Sequence, residues 1–379
     1  MFAQLRSPWW HFPLPLLTRE TDPSAALWRE HLANRERMVR DLREATGARD
    51  VPWSSSRRLL GVALTSLTFG LWIVAGVASL AAFALGGPRT RSAIAAYYAA
   101  ALLLPPVRFR PGWYRYACAL EVGRENGWKL VVKGFRDATI DGKSDPRGAR
   151  PLLFCSHPHG LFCAGVSLNL IFSRAALERL GVTHVRLFVH SLLASAFPIV
   201  KDWLRALGFL PAVAREMRRC LERGEHAAIV PGGVREVIWA GRVDEERIAL
   251  RHAFGFVKVA IQTGAALVPV YTFGESLSCG PDFAPWFDAR RRWTYRLEAP
   301  IRYLSLCQRW LLPFPNGRLV TVVGDAIDLG PREERPSRER VAEAHRRYCE
   351  KLLELIEETK EEAGYGGQVT VLVLSLIHI

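Results

Sequence analysis

Residues Leu152 to Gly165 read LLFCSHPHGLFCAG. An apolar run, Pro151 to Cys155, leads into His157-Pro158-His159-Gly160, and a second apolar run continues to Asn169. That is the pattern of a buried strand ending in a loop, with a helix after it. Open α/β sheets hold their ligands at the ends of their strands. Pro158 fixes its own φ and Gly160 lets another backbone or a ligand approach, so the loop is costly to keep for packing alone. Histidine exchanges protons near neutral pH, and the loop therefore reads as catalytic.

Downstream of Trp113 the chain alternates short apolar runs with amphipathic stretches, the signature of an α/β domain. Strands are expected at Trp128–Val132, Leu152–Cys155, Val185–Val189, Ala227–Val230, Ala266–Tyr271 and Leu319–Val323. Helices are expected at Leu161–Leu180, Lys201–Leu207, Val213–Arg223, Arg251–Gln262 and Ser337–Glu362. The run Val369–Ile379 ends in a stretch resembling translated sequencing adaptor, and it is set aside from the fold as a non-native tail.

Upstream, Leu59 to Leu85 is uncharged over 27 residues. A bilayer span needs only about 20 apolar residues, so this stretch is expected to be transmembrane. Ser92–Val107 is a shorter apolar stretch, either the return limb of a hairpin or a segment lying in the interface. Arg43, Arg49, Arg57 and Arg58 precede the pair, and Arg108, Arg110, Arg115 and Arg124 follow it. This bias puts both termini on the cytosolic side, although Arg89 and Arg91 make the connecting loop basic too. Before the hairpin, Ser24 caps an expected amphipathic helix to about Thr46, and Trp9, Trp10 and Phe12 could touch a membrane. The prolines at 8, 13 and 15 break up any cleavable signal peptide. The chain thus divides into a cytosolic segment (1–56), a membrane hairpin (57–107), an α/β domain (108–362) and a tail (363–379).

Lys and Arg number 51 against 37 Asp and Glu, a net charge of +14. Such a balance favours anionic partners: a membrane surface or a phosphate-bearing substrate. Long basic runs with interleaved aromatics are absent, which argues against nucleic acid. The seven cysteines form no CxxC pair, which argues for a reducing compartment and against a disulfide framework.

Three further blocks carry candidate chemistry. Pro231-Gly232-Gly233-Val234-Arg235-Glu236 follows a strand; its glycines could turn amides toward an oxyanion, and Glu236 could reach a histidine. Its structural reading is a tight turn with a first-turn glutamate. Arg251 to Lys258 opens a helix, and Arg251 and Lys258 suit the phosphates of a nucleotide-like carrier, though a cationic pair is more often a solvated face. Leu267 to Glu275 is a strand ending in glycine and an acid. Glu275 is a reserve partner for a histidine or a substrate hydroxyl, or simply a structural carboxylate.

These blocks in this order, HPHG, PGGVREV, GFVKVAIQTGAALVPVYTFGES and GRLVTVVGDAI behind a hydrophobic hairpin, resemble the diacylglycerol acyltransferase 2 family over roughly residues 57 to 362. The resemblance implies a glycerolipid-acyltransferase-like α/β domain with a mixed sheet and flanking helices, preceded by an N-terminal transmembrane hairpin. It also implies an endoplasmic-reticulum enzyme, its catalytic domain facing the cytosol, with lipid droplets as a second location. Acyl-CoA would donate a fatty acyl group to the hydroxyl of diacylglycerol, or alternatively of monoacylglycerol or a fatty alcohol. No cofactor is implied, and self-association is left open. By position, the motifs fall on His157, Pro158, His159 and Gly160, on Gly232, Gly233 and Glu236, and on Gly255, Phe256 and Lys258. Ala253-Phe254 stands where the family usually has a basic pair.

The expected site has His159 as general base, His157 shaping the loop and Glu236 orienting the base. The residues do not separate the two histidines decisively. Pro158, Gly160, Gly232, Gly233, Asn169, Arg251, Gly255, Phe256, Lys258 and Glu275 are expected around the substrates. Competing readings are an HxH metal hydrolase drawing further ligands from His184, His190, His226 or His252, a nucleophile at Cys155 or Cys163, and a lipid-binding protein without catalysis. In a lysophospholipid acyltransferase an aspartate would stand at Phe162 or Ala164.

Overall fold

A computed structural model describes residues 71–103, 107–125, 128–133, 150–160, 163–191, 194, 198–239, 245–251, 253–277, 319–367 and 369–373. The expected helix at Ser24–Thr46, the start of the apolar run to residue 70, and His252 lie outside these residues.

In chain order the helices are α1 (Leu71–Leu85), α2 (Pro88–Leu103), α3 (Pro111–Ala119), α4 (Arg174–Arg179), α5 (Pro198–Ala206), α6 (Ala214–Glu222), α7 (Val234–Trp239), α8 (Gly255–Thr263) and α9 (Arg338–Ala363). The strands are β1 (Lys129–Val132), β2 (Leu152–His157), β3 (Val185–Val189), β4 (Leu210–Pro211), β5 (His226–Ile229), β6 (Glu245–Ala249), β7 (Ala266–Phe273), β8 (Val320–Val323) and β9 (Val369–Val373). Seven of them form one sheet in the order β1-β8-β7-β2-β5-β3-β4. All neighbours are parallel except β7 and β8, so the sheet is mixed, as expected.

Strand β2 is central and buried along its whole length. Parallel strands covered on both faces read as continuous apolar runs, which is why Leu152-Leu153-Phe154-Cys155 carries no alternation. Because β5, β2 and β7 are parallel neighbours, their C-terminal ends share one edge of the sheet. The loops after them hold Pro158–Gly160, Gly232–Gly233 and Gly274–Glu275. Helix α9 crosses the domain with a buried stripe of Tyr348, Leu352, Leu355 and Ile356. Its start is capped by Ser337, whose hydroxyl accepts from Arg340 N–H at 3.1 Å, and its end by left-handed Gly364.

Three expectations are corrected. The helix expected at Leu161–Leu180 is a π-helical stretch, Gly165–Ile171, then a restart at α4. Ser173 adopts an extended backbone and its hydroxyl accepts from Ala176 N–H, a cap that begins a new helix. The helix expected from Arg251 starts only at Gly255, and Arg251 lies in the preceding turn. The tail set aside from the fold contributes β9, which pairs in parallel with β6 from Glu245↔Val369 to Ala249↔Val373.

Helices α1 and α2 form an antiparallel pair joined at Gly86-Gly87. Ser79 and Tyr98 share a hydroxyl hydrogen bond of 2.7 Å, and Arg91 donates to Phe83 O and Ala84 O. Among the described residues, no helix is long and apolar enough to cross a membrane.

Candidate active site

His157 is the last residue of β2 and is fully buried. Its Nδ1 lies 3.2 Å from Glu236 Oε1 and its Nε2 lies 3.1 Å from the Tyr348 hydroxyl. The Tyr348 hydroxyl also reaches Cys155 O at 3.1 Å, so α9 is pinned to the end of β2. The His157–Pro158 peptide is cis.

Glu236 is a hub. Oε1 accepts from Ala249 N–H at 2.9 Å as well as facing His157, and Oε2 accepts from His159 N–H at 2.8 Å. Gly232 makes this possible, because a Cβ there would fall 1.8 Å from Glu236 Oε1. The carboxylate folds back over its own turn only where that turn carries no side chain.

His159 is only half-buried. Its Nδ1 is 3.1 Å from Gly160 O, and a carbonyl can only accept, so Nδ1 carries the proton and Nε2 is the basic nitrogen. Burial lowers the pKa of the imidazole below its ordinary value, which keeps it neutral and able to take a proton. Cys163, in a left-handed backbone conformation, places Sγ 3.4 Å from Nδ1 and 3.6 Å from Nε2. The other cysteine of interest, Cys155, is fully buried, and burial pushes its thiol well above the usual range, so it is inert core.

Glu275 closes the other side of the loop. Its two oxygens accept from Ala164 N–H and Gly165 N–H, each at 2.7 Å, at the head of the π-helical stretch. Gly160, at φ +52°, brings the loop so near that a Cβ would meet Glu275 Cγ at 2.6 Å. Burial pushes the Glu275 carboxyl up to about 7 against the pull of its two amides. Beyond it lies Glu246, a residue that the sequence did not bring forward. It accepts from Ser276 Oγ at 2.7 Å, and burial, reinforced by the charges of Glu236 and Glu275, pushes its carboxyl up to about 8.

The structure therefore brings together His157, Pro158, His159, Gly160, Gly232, Glu236 and Glu275. It changes several expected roles. Glu236 faces the ring of His157, not that of His159, which it holds through the backbone; Gly160 O fixes the tautomer of His159. The amide of Gly233 donates to Val230 O at 3.1 Å within the turn, so it does not face an oxyanion. Asn169 is buried and donates to Lys129 O and Thr321 Oγ1, binding the π-helical stretch to β1 and β8 instead of a substrate. Phe256 packs edge-on against Tyr348 with ring centroids 5.1 Å apart, which makes it a support for the His157 hydrogen bond. Lys258 and Gly255 are exposed at the start of α8, whose first turn has no side-chain cap. Among the described residues, the buried Nη1 of Arg251 has no hydrogen-bond partner. Among the described residues, no group of three or more His, Cys, Asp or Glu side chains is placed to hold a metal ion.

Tyr348 is the functional candidate that the sequence hid. The one available signal was a tyrosine on an otherwise aliphatic stripe, since a buried phenol needs a partner.

A family profile for diacylglycerol acyltransferase matches residues 141–375, more than half of the chain. The chain belongs to the diacylglycerol acyltransferase family. The match to that family spans His157–Gly160, Glu236, Glu275 and Tyr348, and begins after the α1–α2 hairpin. Among its relatives, diacylglycerol O-acyltransferase 2-like protein 6 of Mus musculus is 30% identical over 233 residues, 56% of this chain and 67% of its own length. Diacylglycerol O-acyltransferase 2 of Xenopus laevis is 28% identical over 274 residues, 66% of this chain and 73% of its own. 2-Acylglycerol O-acyltransferase 3 of Homo sapiens is 29% identical over 228 residues, 55% and 64%. A solved structure, the 1-acyl-sn-glycerophosphate acyltransferase of Thermotoga maritima, covers 80% of this chain and 97% of its own at 15% identity and a TM-score of 0.40. The protein is an acyltransferase of this diacylglycerol acyltransferase family.

Proposed function

We propose that this acyltransferase moves a fatty acyl group from acyl-CoA to the free hydroxyl of diacylglycerol, with His159 as general base. The observation that carries the mechanism is the Nδ1–H bond from His159 to Gly160 O, which leaves Nε2 basic on a half-buried ring. As the acceptor oxygen attacks the thioester carbonyl, Nε2 takes the hydroxyl proton. The C–S bond then breaks, and the CoA thiolate leaves and recovers that proton from the imidazolium, so the base returns to its starting form. His157, Glu236 and Tyr348 hold the loop, and Glu275 holds the start of the stretch after it. Arg251, with its unpartnered buried donor, is assigned to a phosphate of the CoA.

Monoacylglycerol is the second acceptor, favoured by the match to a 2-acylglycerol O-acyltransferase. The α1–α2 hairpin is assigned to the bilayer of the endoplasmic reticulum or a lipid droplet, so that both greasy substrates arrive from lipid while CoA stays in water on the cytosolic side. Its apolar helix α1 exposes Leu80, Phe83 and Leu85.

The test is acyl transfer in membranes of cells lacking their own triacylglycerol synthesis, with labelled acyl-CoA and diacylglycerol, monoacylglycerol or fatty alcohol. Labelled triacylglycerol that is lost in His159→Ala supports the reading. Diacylglycerol or wax ester moves the acceptor, and no product from a folded, membrane-bound protein overturns it.

A further inference from the structure

Helix α3 buries one stripe and exposes another that water does not favour. Tyr114, Ala117 and Cys118 face the core, and Tyr114 Oη donates to Ile171 O at 2.8 Å. On the outside, Trp113 is 54% exposed and Tyr116 is 69% exposed. Residues three apart on a helix share a face, so the two rings form one aromatic patch. Arg108, Arg110 and Arg115 are exposed beside it, and residues 107–120 contain no Asp or Glu.

The patch is continuous with the hairpin. The Trp113 ring lies 5.8 Å from that of Trp203 on α5, and Lys201 of the same helix donates to Ala101 O on α2. Leu103, the last residue of α2, and Val107, between α2 and α3, are exposed as well. Tryptophan and tyrosine rings settle at the level of lipid headgroups, where one edge is wet and the body is not. Arginines extend their heads toward anionic headgroups from that depth.

We propose that the Trp113–Tyr116 face of α3 is a second membrane contact, seated in the headgroup layer of an anionic bilayer. The proposal rests on the reading of the hairpin as membrane-embedded, and gives the domain a fixed tilt as well as an anchor. The inner face of α3 holds Ile171, the end of the π-helical stretch whose head is clamped by Glu275 beside the His159 loop. Seating α3 on the lipid therefore sets the depth at which the site opens to lipid substrates.

The full chain, reconstituted in phosphatidylcholine vesicles with and without phosphatidylserine, is labelled by a phospholipid carrying a diazirine near its ester bonds. Tryptic peptides then report each surface: Ser92–Arg108 for the hairpin, Phe109–Arg115 and Tyr116–Arg124 for α3. Adducts on all three, with those on the α3 peptides rising severalfold with phosphatidylserine, are expected. Adducts on the hairpin peptide alone overturn the α3 contact and leave the hairpin reading standing; adducts on none, from a protein that does not float with the vesicles, overturn both. Trp113→Ser with Tyr116→Ser should cut labelling of the α3 peptides roughly tenfold while flotation persists, a change of about 1.4 kcal/mol in seating. Unchanged labelling in this double variant also overturns the proposal. Tyr116→Ser alone, at the more exposed position, gives the same direction of change without touching the Trp113–Trp203 contact.

Discussion

His226 and His157 stand at opposite ends of the central strands, and their surroundings differ more than their chemistry does. At the N-terminal edge, His226 Nδ1 accepts from Leu152 N–H at 3.2 Å, and burial pushes the imidazole down to about 4. It is neutral at any working pH and satisfies one backbone donor. Nearby, Arg186 lies 3.2 Å from Glu225 and stacks over Phe109, a partly buried ion pair within the scaffold. At the C-terminal edge, His157 is held through both ring nitrogens, and the ring of His159 beside it commits Nδ1 to Gly160 O and has Cys163 Sγ 3.6 Å from Nε2. Histidine, arginine and carboxylate occur in both regions. What separates them is a ring whose committed nitrogen donates to a carbonyl, where that of His226 accepts from an amide, and its place on the edge where three parallel strands deliver their loops.

The sharpest way to break this comparison is to remove one histidine from each end. His159→Ala should lower acyl transfer by about 10²–10⁴-fold, the usual contribution of a positioned base, with the thermal midpoint nearly unchanged. His226→Ala should do the reverse: it leaves Leu152 N–H unpaired, at a cost of about 1–3 kcal/mol in stability, and retains turnover per folded molecule. A folded His226→Ala protein without activity would erase the distinction between the two edges. Next in size is Glu236→Gln, which replaces an acceptor by a donor at the hub joining His157, His159 and Ala249. Roughly 1–3 kcal/mol of stability and about 10- to 100-fold of turnover should be lost together. Tyr348→Phe removes only a hydroxyl, and should lower kcat about tenfold with KM unchanged, because it loosens a support that the substrate does not touch.

The order of these effects follows how locally each residue was written. Strand β2 and the HPHG loop were legible because burial on both faces and a proline-glycine loop leave a continuous local pattern. Glu236 was legible as an acid, yet its partner was not, since the choice of His157 over the ring of His159 depends on carboxylate geometry over the Gly232 turn. Tyr348 was hidden because its hydrogen bond to His157 spans 191 residues and its helix spacing reads as core. Glu246 lies in the charged run Glu245-Glu246-Arg247, which reads as surface; pairing of β6 with β9 placed it inside. Val369–Val373 was set aside because the run it opens ends in a stretch resembling translated sequencing adaptor, and its pairing with β6 makes it part of the fold.

Titration sharpens the comparison further. With its pKa held below 6.5 by burial, His159 should give an acid limb of kcat/KM below pH 6.5. A limb above that value would mean that a different group, or a cationic His159, limits the reaction.

The last test concerns stability and its dependence on pH. Glu246 titrates at about 8 in the fold against 4.5 as an ordinary carboxyl, so between these values the folded protein holds a proton that the unfolded chain has released. Stability must then fall as pH rises through that window, because the unfolded state binds fewer protons. Glu275, at about 7, adds a slope of the same sign over a narrower range. Glu246→Gln keeps an acceptor for Ser276 Oγ and removes the titration, so its thermal midpoint should decline less than that of the wild type between about pH 5 and about pH 8. The residual slope should belong to Glu275 and vanish in the double variant with Glu275→Gln, if that protein folds. Equal slopes for wild type and Glu246→Gln would show that Glu246 is ionised in the fold. The hydrogen bond from Ser276 Oγ, and not burial, would then decide the charge of Glu246.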